Sequence, residues 1–249
     1  MPQLEKLEIS KMQIHFILVE PAVPENVGAA ARALKTMGFD SLRLVNPCEY
    51  KTGKARWLAH ASGDILDNAQ EFSSLKDAIK DVHFVIASSA KSRSVMGDHH
   101  PAENISEIIR QKKESVASVA IVFGREESGL TNSEISMCNI STYIAIATKY
   151  PSLNLSQAVM LYAYILSGIS PKIKGVSDVP VAESKFKTMM QQVEQILENT
   201  KLSRNSNIYN RIFERLALLA DNDINLLLSV IATLNEKKEE RSWKIEDRR

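Results

Sequence analysis

The chain has 249 residues, 44% of them hydrophobic and 24% charged, with a formal net charge of +1. That is enough apolar material for a sizeable core plus an appended module, and too little net charge for a protein that binds nucleic acid by bulk electrostatics alone. No run of 18 apolar residues occurs and the first eleven residues mix Glu and Lys, so neither a membrane span nor a secretion signal is expected and the cytoplasm is the expected compartment.

In chain order, Ile14–Val19 reads as a buried strand, followed by an alanine-rich helix over 25–37 that Pro24 opens and Gly38 stops. Further strands are predicted near 41–46, 82–87, 117–123 and 142–147. Helices are predicted near 62–70, 74–81, 103–115, 131–138 and 154–168. Such alternation argues for an α/β fold with a mostly parallel sheet covered on both faces. Residues 169–182, with Pro171, Gly175 and Pro180, read as a linker between a first domain (1–168) and a helical one (183–249). In the latter, three stripes at helical spacing run through Phe186–Leu197, Ile208–Leu219 and Ile224–Leu234, a pattern that suits a small bundle.

Two Gly/Asn-rich segments, Phe123–Leu130 and Tyr150–Val159, each follow an apolar strand-like run and should emerge at one sheet edge, where α/β proteins bind ligands. Gly124 and Gly129 offer backbone without a β-carbon, and Ser152, Asn154 and Ser156 add short polar groups, a combination suited to a flat heterocycle with a polar tail. Neither a G-x-x-x-x-G-K-[ST] loop nor a G-x-G-x-x-G turn is present, so a nucleoside triphosphate or an ordinary dinucleotide lacks its usual cradle. Cys48 and Cys138 lack metal-ligand spacing, and no metal is expected. His99–His100 is read as a surface loop. Basic clusters stand at Lys51, Lys54 and Arg56, at Lys91 and Arg93, at Lys172 and Lys174, and at Lys201 and Arg204.

The order P-E-N-x-G-x-x-x-R (Pro24–Arg32), F-G-R-E-x-x-G-L (Phe123–Leu130) and S-L-N-x-S-x-A-V (Ser152–Val159) resembles the three motifs of the SPOUT ribose 2′-O-methyltransferases, the SpoU/TrmH class, over about residues 12–168. Ser88–Arg93 after the third strand and the helical tail are similar to those of its members that methylate the tRNA anticodon loop at about nucleotide 32. The resemblance implies a deep trefoil knot at the end of the sheet domain, S-adenosyl-L-methionine as methyl donor, tRNA as substrate and a homodimer. It implies a catalytic set of Arg32, Asn26, Glu126, Ser152 and Asn154. Donor contacts fall on Ser88, Ser89, Ala90, Gly124, Ile146, Pro151, Ser152 and Leu153. RNA contacts fall on Arg32, Lys91, Arg93, Lys201 and Arg204, with Lys91 where the family carries arginine. Two other readings stay open, the same chemistry on ribosomal RNA and a non-catalytic RNA-binding factor of the same fold.

Overall fold

The structure, a computed structural model, describes residues 12–51, 53–90, 96, 98–112, 115–147, 153–169, 184–198, 200 and 206–246. The chain opens with β1 (Gln13–Val19), α1 (Pro24–Met37), β2 (Leu42–Val45), α2 (Lys54–Ala59), α3 (Gly63–Asp67), β3 (Gln70–Phe72), α4 (Leu75–Ala78) and β4 (Phe84–Ser88). There follow β5 (His99–Pro101), α5 (Ile105–Arg110), β6 (Ser118–Phe123), α6 (Asn132–Ser136), β7 (Ile140–Tyr143) and α7 (Leu155–Ser167). Helices α8 (Lys185–Glu198), α9 (Asn207–Ala217) and α10 (Asp221–Glu246) complete it.

The seven strands form one sheet in the order β3-β2-β1-β6-β4-β7-β5, and every neighbouring pair is parallel. Alternation along the strands sorts the core into two layers. Phe16, Leu18, Phe84, Ile86 and Ile121 face α1, α5 and α7, whereas Ile17, Val19, Val85, Ala120 and Val122 face α4 and α6. Both faces are covered, as a sheet of buried parallel strands requires. Gly28 lets α1 seat on α2: a β-carbon there would lie 2.0 Å from the Ala55 carbonyl oxygen.

Three expectations are corrected. The strand expected at 142–147 is β7, which ends at Tyr143; the apolar residues that follow it belong to a loop. The helix expected over 62–70 stops at Asp67, and Gln70–Phe72 pairs with β2 as an edge strand. His99 and His100 are not in a loop but in the edge strand β5, where the His99 ring stacks on Tyr143 at 4.8 Å. The short helix α2 was not anticipated. Apart from Ile169, the expected linker lies outside the described residues. Among the described residues, no helix is long and apolar enough to cross a membrane.

Helices α8–α10 dock at the amino-terminal ends of the strands. The Phe186 ring meets Phe84 edge-on, the Asp221 carboxylate accepts from the Ser115 N–H at 3.0 Å, and Arg211 pairs with Asp98 at 2.8 Å. At the centre of this joint lies Lys112, 1% exposed, its ammonium between the Phe84 and Phe186 rings and donating to the Leu219 carbonyl. Burial pulls its pKa down to about 8, opposed by Asp221. An unfolded lysine holds its proton to about pH 10.4, so between these values the unfolded chain binds more protons and stability rises with pH. In a paired denaturation series at pH 7.5–10.5, the wild-type chain gains stability relative to Lys112→Met as the pH climbs; parallel curves would contradict the buried ammonium.

Candidate methyl-transfer site

In a parallel sheet all carboxyl ends lie on one edge. Because β6 sits between β1 and β4, and β7 beside β4, the loops after these four strands are neighbours. They begin at Glu20, Gly124, Ser89 and Ile144, and carry the first motif, the second motif, the Ser88–Ala90 turn and the approach to the third motif.

The motifs are joined by one run of hydrogen bonds. The Glu126 carboxylate accepts from the Ala22 and Val23 N–H groups at 3.1 and 3.3 Å and from the Asn26 amide at 2.9 Å. Burial would raise the carboxyl's pKa, but these donors outweigh it and hold Glu126 below the usual carboxylate range. The Asn26 carbonyl in turn accepts from the Asn154 amide at 2.8 Å. Asn154 Oδ1 receives both the Ser156 N–H and hydroxyl, and Gln157 closes a capping box, so one side chain caps α7 and ties it to α1. The N-cap of α1 is Val23 rather than Asn26, and no side-chain bond caps it.

The second motif folds on itself. Arg125 and Gly129 exchange backbone hydrogen bonds, with Gly129 at φ 67°, and a β-carbon on Gly124 would come within 2.1 Å of Gly129. Gly124 is thus small because the turn closes against it. Arg125, unassigned from the sequence, pairs with Glu20 at 2.8 Å and with both oxygens of Glu134 at 3.0 Å. The Thr131-x-x-Glu134 capping signature was the available clue that Glu134 turns back toward this loop.

Around this frame, Ser88 and Ser89 are half-buried, Ala90 is exposed, and Ile146 is an exposed apolar side chain past the end of β7, with Leu153 half-buried before Asn154. Arg32 lies exposed on α1, where its side chain makes no hydrogen bond or ion pair among the described residues; Asn26 is engaged by Glu126 and Asn154 instead. Pro151, Ser152, Lys91, Arg93, Lys201 and Arg204 lie outside the described residues. The cluster Lys51, Lys54 and Arg56 is not a free basic patch, since these cations pair with Glu71, Glu25 and Asp67. Cys48 and Cys138 are free thiols.

Fold and motifs together define an α/β protein with its ligand loops gathered at the carboxyl edge of the sheet. The SpoU rRNA Methylase family profile matches residues 13–164, and the chain belongs to that family. It is 36% identical over 216 residues to LasT of Escherichia coli, an "uncharacterized tRNA/rRNA methyltransferase", across 87% of this chain and 94% of that protein. It is 32% identical over 235 residues to tRNA (cytidine/uridine-2′-O-)-methyltransferase TrmJ of Sodalis glossinidius, across 89% and 91%. The crystal structure of TrmJ from Z. mobilis is similar with a TM-score of 0.60 at 28% identity, covering 89% of this chain and 98% of that one.

Glu126→Gln replaces one acceptor oxygen with an amide that cannot accept from the Ala22 or Val23 N–H ahead of α1. The expected outcome is a loss of about 1–3 kcal/mol in chemical denaturation, with the slope of the transition unchanged.

Proposed function

We propose that this chain is an S-adenosyl-L-methionine-dependent tRNA ribose 2′-O-methyltransferase acting on a cytidine or uridine of the anticodon loop, at about nucleotide 32. The observation that carries the reading is the Glu126–Asn26–Asn154 connection, which gathers all three motifs at one strand edge in a chain about a third identical to the cytidine/uridine enzymes.

The residues at that edge suit the donor. Small groups at Ser88, Ser89 and Ala90 leave room for a flat heterocycle, Ile146 offers an apolar wall, and Gly124, closed against Gly129, is assigned to the donor through its backbone. Pro151, Ser152 and Leu153 are assigned to the same loop. When bound, S-adenosyl-L-methionine supplies a sulfonium-activated methyl group.

The protein's task is to aim a ribose hydroxyl, a poor nucleophile while neutral. Glu126, Asn26 and Asn154 hold the loops, and Ser152 is assigned to the ribose or donor. A guanidinium is a poor proton acceptor, so Arg32 is assigned no role as a base. Its guanidinium clamps the adjacent phosphate and stabilises developing alkoxide charge, while the proton leaves to phosphate or water. An exposed Arg32 unpaired among the described residues supports a homodimer in which Arg32 of one subunit serves the loops of the other. By the same likeness the end of the sheet domain forms a deep trefoil knot, and the helical domain 183–249 contacts tRNA through Lys201 and Arg204, with Lys91 and Arg93 holding phosphates nearer the loops.

Mapping 2′-O-methylation in total RNA with and without the gene tests this reading. Loss of a mark in the tRNA anticodon loop is expected; loss in ribosomal RNA alone would reassign the substrate, and an unchanged map would remove the proposal. Arg32→Ala lowers turnover by about 100-fold or more with donor affinity retained, as single-turnover kinetics and calorimetry would show.

A further inference from the structure

Tyr162 lies on α7, three residues beyond the third motif, and is 0% exposed. Its hydroxyl is 2.8 Å from the Thr142 hydroxyl, with the Ser88 side chain close by. Thr142 passes the connection on by donating to the Ala87 carbonyl at 3.0 Å. The ring meets Phe123 edge-on, centroids 5.3 Å apart and planes at 89°. One side chain therefore engages the ends of three strands: β6 through Phe123, β7 through Thr142 and, by way of Thr142, β4 at Ala87 beside Ser88.

Those ends need support. Ser88 and Thr142 are the last residues paired between β4 and β7, and one further backbone bond, from the Ser89 N–H to the Thr142 carbonyl at 2.9 Å, follows them. Beyond it the chains diverge into the loops assigned to the methyl donor, with Ala90 two residues past Ser88, Gly124 next to Phe123 and Ile146 four past Thr142. A buried phenol is costly unless its hydroxyl is bonded, and a fully bonded one restrains its partners to a single arrangement.

We infer that Tyr162 is a positioning residue for the donor site, a strut from α7 that holds the ends of β4, β6 and β7 in the register their loops need. This rests on the methyl-donor reading above. Tyr162 touches neither donor nor ribose; it acts through Phe123 and Thr142. A chain with Phe at this place keeps the ring and its edge contact and loses only the bridge.

The test compares Tyr162→Phe, Thr142→Val and Thr142→Ser with the wild type, reading the donor dissociation constant by calorimetry, the KM for donor and kcat with a tRNA transcript, and melting by circular dichroism. Tyr162→Phe and Thr142→Val each weaken donor binding and raise its KM roughly five- to twenty-fold, with kcat at saturating donor within about twofold. Their double variant is no worse than either alone because both break one bridge. Thr142→Ser, which keeps the hydroxyl, restores wild-type binding. Leu166→Val, a buried change on the same helix, controls for general softening. Wild-type affinity in Tyr162→Phe, or an equal loss in Leu166→Val, would overturn the inference while leaving the functional reading intact. A wild-type chain that takes up no donor would overturn that reading, and the inference with it.

Discussion

The Glu126 carboxylate is the constraint on which the rest of the site depends. It reaches from the loop after β6 to the entrance of α1, where it takes two backbone N–H groups and the Asn26 amide. Each such bond adds only about 0.5–3 kcal/mol net, so the group does not hold the fold together by energy alone. Its importance is geometric: with Asn26 passing the connection to Asn154, segments a hundred or more residues apart in sequence share one rigid frame. A charged acceptor does this better than a neutral one, since a carboxylate has two oxygens to serve three donors and its hydrogen bonds are stronger than those of a neutral amide.

That frame is useful because of the strand order. Placing β6 between β1 and β4 brings a late strand beside the first one, so loops far apart in sequence become neighbours at the carboxyl edge. Helix α7 then lies across the same layer as α1, and its Tyr162 and Asn154 engage that edge from two points along one rigid element. Arg125 completes the arrangement by closing the second motif against Glu20 and Glu134. The tail helices sit at the opposite edge, packed through Phe186, Asp221 and Lys112. A basic stretch that looked available for RNA, Lys51 to Arg56, is spent on neighbouring carboxylates.

Much of this could be read from the chain by itself. The runs Phe16–Val19 and Val119–Phe123 are continuously apolar because both faces of the sheet are buried, and α1 declared its limits through Pro24 and Gly38. The helical stripes of the tail were visible as 3.6-residue repeats, and three spaced motifs named the family that the profile and relatives show. What escaped were elements too short to have a period, such as β3 and β5, and the end of β7, where apolar residues continue past the last paired one.

Local pattern determined which segments would be buried and which would carry chemistry, since burial and turn-forming are properties of neighbouring residues. Partnership was decided only in three dimensions. Nothing near Asn26 announces Glu126, nothing near Lys54 announces Glu25 as its partner, and nothing in the third motif announces that a tyrosine further along α7 would bond Thr142. A hydrogen bond depends on the distance and angle between its two groups, and between distant segments those are set by the order and register of the strands, which no short window of sequence contains.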